Sequence, residues 1–272
     1  PTDSKLGQGK ELLVSSVKAR SYDASREEVL SMPRWVLMKG KNDRIERIPE
    51  KRITREEKLQ EELREHPDLI PSEDLGLGPL MVVGREATTE SGSVDLLAVD
   101  REGNLVVVEF KRGASSHLRR RVVAQLLDYG SALWSEIKTY EDFEKQVFLP
   151  YVRSKRCKEK KLKSFASLEQ AARFFFEEGE TPSVEEEGFE FEEFKDGLNR
   201  SLSNGLFVYL VVASRIDPYL RTLLSYMNEC LGVSMHAVEI DYFASKGKEL
   251  LVPRAVRFGG KRLPQRPGTS RE

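Results

Sequence analysis

The stretch that most constrains this chain is Leu-Val-Val-Val-Glu-Phe-Lys at residues 105–111. Its nearly unbroken run of branched and aromatic side chains suits a strand in the middle of a sheet covered on both faces. Just before it, Asp-Arg-Glu-Gly-Asn at 100–104 is a tight turn, and residues 81–90 and 93–100 read as two further strands. Just after it, 117–134 carries helical spacing, with Val122, Leu126, Tyr129 and Leu133 near one side and Gly130 as a mild weakness. The pattern resumes later. Residues 206–214 form a buried strand, and 217–232 form a helix with Asp217 as cap, Pro218 in its first turn and Gly232 as its stop. Residues 234–245 and 249–258 are the closing strands. The fold expected is therefore α/β, a mixed sheet with antiparallel edges flanked by helices.

Between these blocks, residues 137–204 interrupt the rhythm. A basic run at 153–163, a helical segment at 167–179 and an acidic stretch at 183–202 read together as a helical insertion or lid. At the other end, 34–40 and 41–50 form a short hairpin with Gly40, Asn42 and Asp43 near its turn. A helix follows from Thr54, an N-cap with Glu57 as capping-box partner, and stops before Pro67. Residues 1–50 are read as an N-terminal extension and 259–272, rich in Pro and Gly, as a flexible tail. The 39% apolar and 33% charged composition is that of a folded, charge-rich chain, with no apolar run long enough to span a bilayer. The two cysteines, Cys157 and Cys230, are too few for a disulfide framework, and the start of the chain lacks a basic-then-apolar leader. These features point to the cytoplasm and away from membranes. A formal net charge of −1 means that any attraction to phosphate must come from local patches.

The chemistry concentrates on one hairpin. In a strand, residues i and i+2 point to the same face, so Glu109 and Lys111 project together while Phe110 enters the opposite layer. Asp95 and Glu109 are equally far from the 100–104 turn, so simple hairpin pairing brings the two carboxylates together beside an ammonium. Carboxylate oxygens suit a hard cation such as Mg2+ or Mn2+. That combination fits metal-assisted phosphodiester hydrolysis, with Lys111 orienting the attacking water or neutralising developing charge. The backbone carbonyl of Phe110 is a further candidate ligand. A Glu-x-Lys on a strand is also a common cross-strand ion pair, but burying charges among such apolar neighbours without purpose is costly.

Gly92-Ser93-Val94-Asp95-Leu96-Leu97, then Val108-Glu109-Phe110-Lys111-Arg112, then Gln125-Leu126-Leu127-Asp128-Tyr129, resembles the PD-(D/E)XK, or restriction-endonuclease-like, nuclease superfamily, and is most similar to its NucS-like and RecB-like branches. The resemblance covers about residues 52–135, and the elements at 206–258 are similar to the end of NucS-like domains. It places a nuclease-like domain over 51–258. It implies that Asp95 and Glu109 hold the metal, that Lys111 is the catalytic lysine, and that Gln125 and Tyr129 lie beside the site against substrate. Tyr129 is equally readable as a core aromatic and Gln125 as its polar neighbour. The superfamily's first helix often supplies another acid, for which Glu57 is the best positional match, with Glu61 and Glu62 as competitors. One departure is that no proline precedes Asp95. The function implied is a metal-dependent deoxyribonuclease in repair or defence. NucS-like proteins suggest a homodimer, through an additional domain that residues 1–50 do not match.

Arg112, Arg119, Arg120 and Arg121 flank the site and are candidates to grip phosphates, as is the 153–163 run. His66, His117 and His236 form no metal-ligand spacing. Two other readings belong to different classes: a non-catalytic nucleic-acid-binding or assembly module that kept the fold, and an interaction scaffold whose acidic 185–193 stretch recruits a partner.

Overall fold

The computed structural model describes residues 34–39, 45–51, 62, 66, 69–111, 116–157, 161–177 and 188–256, with the side chains of 116–120 excepted. The turn of the N-terminal hairpin, nearly all of the helix expected over 55–66, and the tail from 259 lie outside these residues.

The core is one six-stranded sheet. Its strands are β3 (Met81–Thr89), β4 (Gly92–Val99), β5 (Leu105–Lys111), β6 (Val208–Ala213), β7 (Met235–Ser245) and β8 (Lys248–Ala255), side by side in that order. The central strands β5, β6 and β7 run parallel, and β3, β4 and β8 pair antiparallel at the two edges. This is the mixed, antiparallel-edged α/β sheet expected of a restriction-endonuclease-like chain. The apolar runs fall where they must: every residue of β6 is buried, and so are the first six of β5. A smaller ribbon, β1 (Trp35–Lys39) with β2 (Ile45–Pro49), is the N-terminal hairpin. It docks where β7 runs on past the end of β6. Glu50 bridges Phe243, Lys51 N–H donates to the Tyr242 carbonyl at 2.8 Å, and Arg34 clasps both Glu50 and Asp241.

Parallel neighbours require crossovers. The connection from β5 to β6 begins with α1 (Ser116–Glu136), which lies against β5. Gly130 has a purpose that helix propensity does not show. A Cβ there would sit 1.9 Å from the Tyr209 hydroxyl, so only glycine lets the helix lie on β6. The second crossover contains α6 (Pro218–Leu231), and its signals read as expected. Asp217 accepts from the Tyr219 and Leu220 N–H groups, and Gly232 ends the helix at φ +66°.

Where described, residues 137–204 contain helices and turns and no strand. They contain α2 (Tyr140–Phe143), a π turn (Glu144–Phe148), α3 (Leu149–Arg153), α4 (Leu168–Glu177) and α5 (Phe191–Asn204). Pro150 explains the wide turn before it, because its ring cannot accommodate the carbonyl of a normal preceding turn. The segment is knit by Glu144 Oε1, which accepts from Leu168 N at 2.7 Å, and by Asn199 Oδ1, which accepts from Tyr140 N at 2.7 Å. It packs on β3, an edge strand whose open side would otherwise invite pairing with another chain. At the opposite end of the strands, α5 presses on the β4–β5 turn. Added Cβ atoms at Gly103 and Gly197 would lie 2.1 Å from the Phe194 carbonyl and 1.7 Å from the Glu102 carbonyl. Among the described residues, Cys157 is buried, Cys230 is exposed, neither is in a disulfide, and no helix is long and apolar enough to cross a membrane.

Candidate active site

The β4–β5 register pairs Leu96 with Val108, which sets Asp95 and Glu109 across from each other one step further on. The ladder of paired residues stops at Leu96–Val108. On the other side of β4, the pairs Arg85–Leu96 and Ala87–Val94 flank a missing Glu86–Asp95 pair, so the ladder also breaks there. Glu86 stands in the left-handed region at φ +47°, an unusual conformation for a residue with a Cβ. Asp95 thus lies at a local break in the sheet. Its Oδ2 accepts from the Phe110 N–H at 2.9 Å, which fixes the carboxylate directly on the strand that carries Glu109.

Glu109 is 1% exposed. One of its oxygens pairs with Lys111 Nζ, as same-face geometry requires, while the other, Oε2, is buried with no hydrogen-bond partner. Burial, and then the neighbouring Asp95 charge, push the Glu109 carboxyl up to about 7, against the opposing pull of Lys111. A buried carboxylate beside a second acid, with an orphaned oxygen, is a costly arrangement in the absence of a cation. The donor chemistry therefore fits Mg2+ or Mn2+, which take carboxylate and carbonyl oxygens and complete their shell with water and substrate phosphate. Among the described residues no cluster of three or more His, Cys, Asp and Glu side chains forms a fuller set.

Behind the acids stands α1. Gln125 Nε2 donates to the Tyr129 hydroxyl, which donates in turn to the Ser93 carbonyl at 2.8 Å. Tyr129 is 2% exposed and close enough to both acids for their charge, with burial as the larger cause, to raise its phenol. Gly92, at φ +124°, and the Thr89 Oγ1 to Gly92 carbonyl bond of 2.9 Å close the β3–β4 hairpin beside it. Glu136 Oε1 accepts from Glu90 N at 3.1 Å and ties the hairpin tip to the end of α1. The sequence-derived set thus comes together in part: Asp95, Glu109, Lys111, Gln125 and Tyr129 share one site. Glu57, Arg112 and the side chains of Arg119 and Arg120 lie outside the described residues. His236 is held near 4 by burial, with Ser234 Oγ 3.2 Å from its Nε2.

Sequence reading missed a clamp on Glu86. Arg156, from the basic run, donates Nη1 to the Glu86 carbonyl at 2.8 Å and sets Nε 3.1 Å from the Glu86 carboxylate. No local pattern announces it, because the two residues lie 70 apart.

Residues 55–137, which include all five converging side chains, match the family model of the Endonuclease NucS C-terminal domain. Endonuclease NucS of Sulfolobus acidocaldarius is 43% identical over 61 residues, 22% of this chain and 23% of that protein. The resemblance seen in the sequence is borne out over this segment, while the chain spans about a quarter of the length of the curated relative it matches. No solved structure gives a significant match.

Proposed function

We propose that this protein is a divalent-metal-dependent nuclease that hydrolyses phosphodiester bonds in DNA, serving repair or defence. The observation that carries the reading is the buried Glu109 carboxylate across from half-buried Asp95, with an orphaned Glu109 oxygen and Lys111 at its side. The match of this segment to an endonuclease domain supports it. Asp95 and Glu109 would hold Mg2+ or Mn2+, with the Phe110 carbonyl as a further ligand and Glu57 as a candidate fourth. When bound, the metal polarises the scissile phosphate and lowers the pKa of a coordinated water.

The chain's own residues do the rest. Phe110 N–H keeps Asp95 turned toward Glu109. Lys111, held on the face of Glu109, orients the attacking water and offsets negative charge that grows on the phosphate. Gln125 presents its polar end beside the acids, and Tyr129 sets the position of Gln125 and of the Ser93 backbone. Arg112, Arg119 and Arg120 are candidates to hold the DNA backbone.

Cleavage of single-stranded, duplex and branched DNA, with and without Mg2+ or Mn2+, tests the proposal. Lys111→Ala should reduce metal-dependent cleavage by on the order of 10²–10³-fold, the scale of losing one electrostatic stabiliser, while leaving DNA binding largely intact. A Lys111→Ala protein that cuts at the parent rate would overturn the assigned roles. Absence of cleavage under any metal would favour the non-catalytic nucleic-acid-binding reading.

A further inference from the structure

The basic run of the insertion is delivered to the rim of the active site by a chain of three contacts on consecutive β3 residues. Gly84 leaves room for Val147, whose Cγ1 would lie 3.5 Å from an added Cβ. Arg85, 5% exposed, donates Nε to the Tyr151 hydroxyl at 2.9 Å. Glu86 is held by Arg156 at both its carbonyl and its carboxylate. The third contact lies across from Asp95, and neighbouring strands are about 4.8 Å apart. The Arg156 clamp therefore falls on the β3 residue that the register sets opposite Asp95.

The turn is closed by its own hydrogen bonds. Ser154 N–H and Oγ–H both donate to the Tyr151 carbonyl, at 2.9 and 2.7 Å, and Ser154 Oγ accepts from Arg156 N at 3.1 Å. Buried Val152 precedes it and buried Cys157 follows it. Arg153 and Lys155 are exposed on this turn, one on each side of Ser154. Seven basic side chains and a single acid fall within 153–163, in a chain of formal net charge −1. A merely solvated face would mix the two signs. Here Arg156 anchors the turn on Glu86 and leaves its neighbours pointing to solvent.

We infer that Arg153 and Lys155 form a phosphate-binding rim that grips the DNA backbone alongside the Asp95–Glu109 site, with Arg156 as the positioning residue that holds the rim against β3. The inference rests on the nuclease reading and extends it, because the Endonuclease NucS C-terminal domain match ends at residue 137, before the insertion's described helices.

Salt dependence of binding tests it. Labelled single-stranded and duplex DNA are titrated with the full chain carrying Lys111→Ala, over a NaCl series, with and without Arg153→Gln plus Lys155→Gln. Losing two phosphate contacts should make the slope of log K against log[NaCl] shallower by about 1.4 on single strands or about 1.8 on duplex, and weaken binding roughly 25-fold or more at 0.1 M salt. Arg200→Gln serves as the control. It neighbours Ser201, whose hydroxyl donates to the Gly103 carbonyl at the far end of the strands, and it should change neither quantity. A double variant with the parent's slope, or with no more effect than Arg200→Gln, overturns the rim. If the protein with Lys111 intact still cleaves, only the rim is lost. If that protein neither binds nor cuts DNA, the nuclease reading falls and takes the rim with it.

Discussion

Two buried carboxylates sit at opposite ends of the β4–β5 hairpin, and the protein treats them differently. Asp100, 4% exposed, lies at the turn and is fully employed: Oδ1 accepts from Glu102 N at 3.0 Å and Asn104 N at 2.8 Å, and Oδ2 accepts from Asn104 Nδ2. Glu109, 1% exposed, lies at the open end, faces a second acid and keeps one oxygen without a partner. Burial raises both, to about 6 and about 7. A raised carboxyl therefore does not by itself set the two acids apart; the supply of hydrogen-bond donors does. Asp100 has its ligands in the fold and shapes a turn. Glu109 pairs through one oxygen with Lys111 and leaves the other without a partner, the feature behind the proposed metal site.

Glu109→Gln should break this contrast most strongly. Metal-dependent cleavage should fall by on the order of 10²–10³-fold or more. The metal-free variant should nevertheless be more stable than the parent at neutral pH. The sign follows from linkage. An acid whose folded-state pKa is raised from 4.5 to about 7 contributes stability below 4.5 that is lost as pH climbs through about 7. The stability advantage of Glu109→Gln should therefore widen from pH 4.5 to 7, as read in denaturant midpoints. An advantage that is constant or shrinks with pH would mean that Glu109 is not held against its charge.

Asp100→Ala should do the reverse. It removes the acceptor for three donors and should destabilise the chain by about 1–3 kcal/mol, with the cleavage rate per folded molecule unchanged. Equal loss of stability and of specific activity would erase the distinction between the two ends. Tyr129→Phe is the subtlest probe. It deletes the bond to Ser93 and Gln125's partner at a modest cost of about 0.5–1.5 kcal/mol. If Tyr129 acts by positioning, kcat should fall while KM for DNA stays close to the parent's. An effect on KM alone would instead put the hydroxyl on the substrate.

The sequence disclosed much of this molecule because its signals are local. Alternation and apolar runs marked β3 to β8. Asp217, Pro218 and Gly232 marked the ends of α6. The equal distance of Asp95 and Glu109 from the 100–104 turn foretold their meeting. What escaped depends on residues far apart in the chain. The clamp from Arg156 to Glu86 spans 70 positions, and that from Tyr151 to Arg85 spans 66. Glu86 reads as an ordinary strand residue, and its φ of +47° has no signature in side-chain chemistry. Gly130 reads as a helix weakness until Tyr209 is placed against it. The 100–104 segment read simply as a turn, although Asp100 holds it closed with its own carboxylate and Gly103 admits α5. Gln125 and Tyr129 were visible as a pair on one helix face, but the direction of the hydroxyl, toward Ser93, required the fold.

Whether Asp95 and Glu109 hold a metal is decided by a crystal of the full chain soaked with Mn2+ and recorded at a wavelength where manganese scatters anomalously. A single strong peak is expected between Asp95 and Glu109, with both carboxylates at roughly 2.1 Å from it and the Lys111 ammonium displaced from Glu109. Crystals that take up manganese elsewhere, or nowhere, while Lys111 stays paired with Glu109, would contradict it.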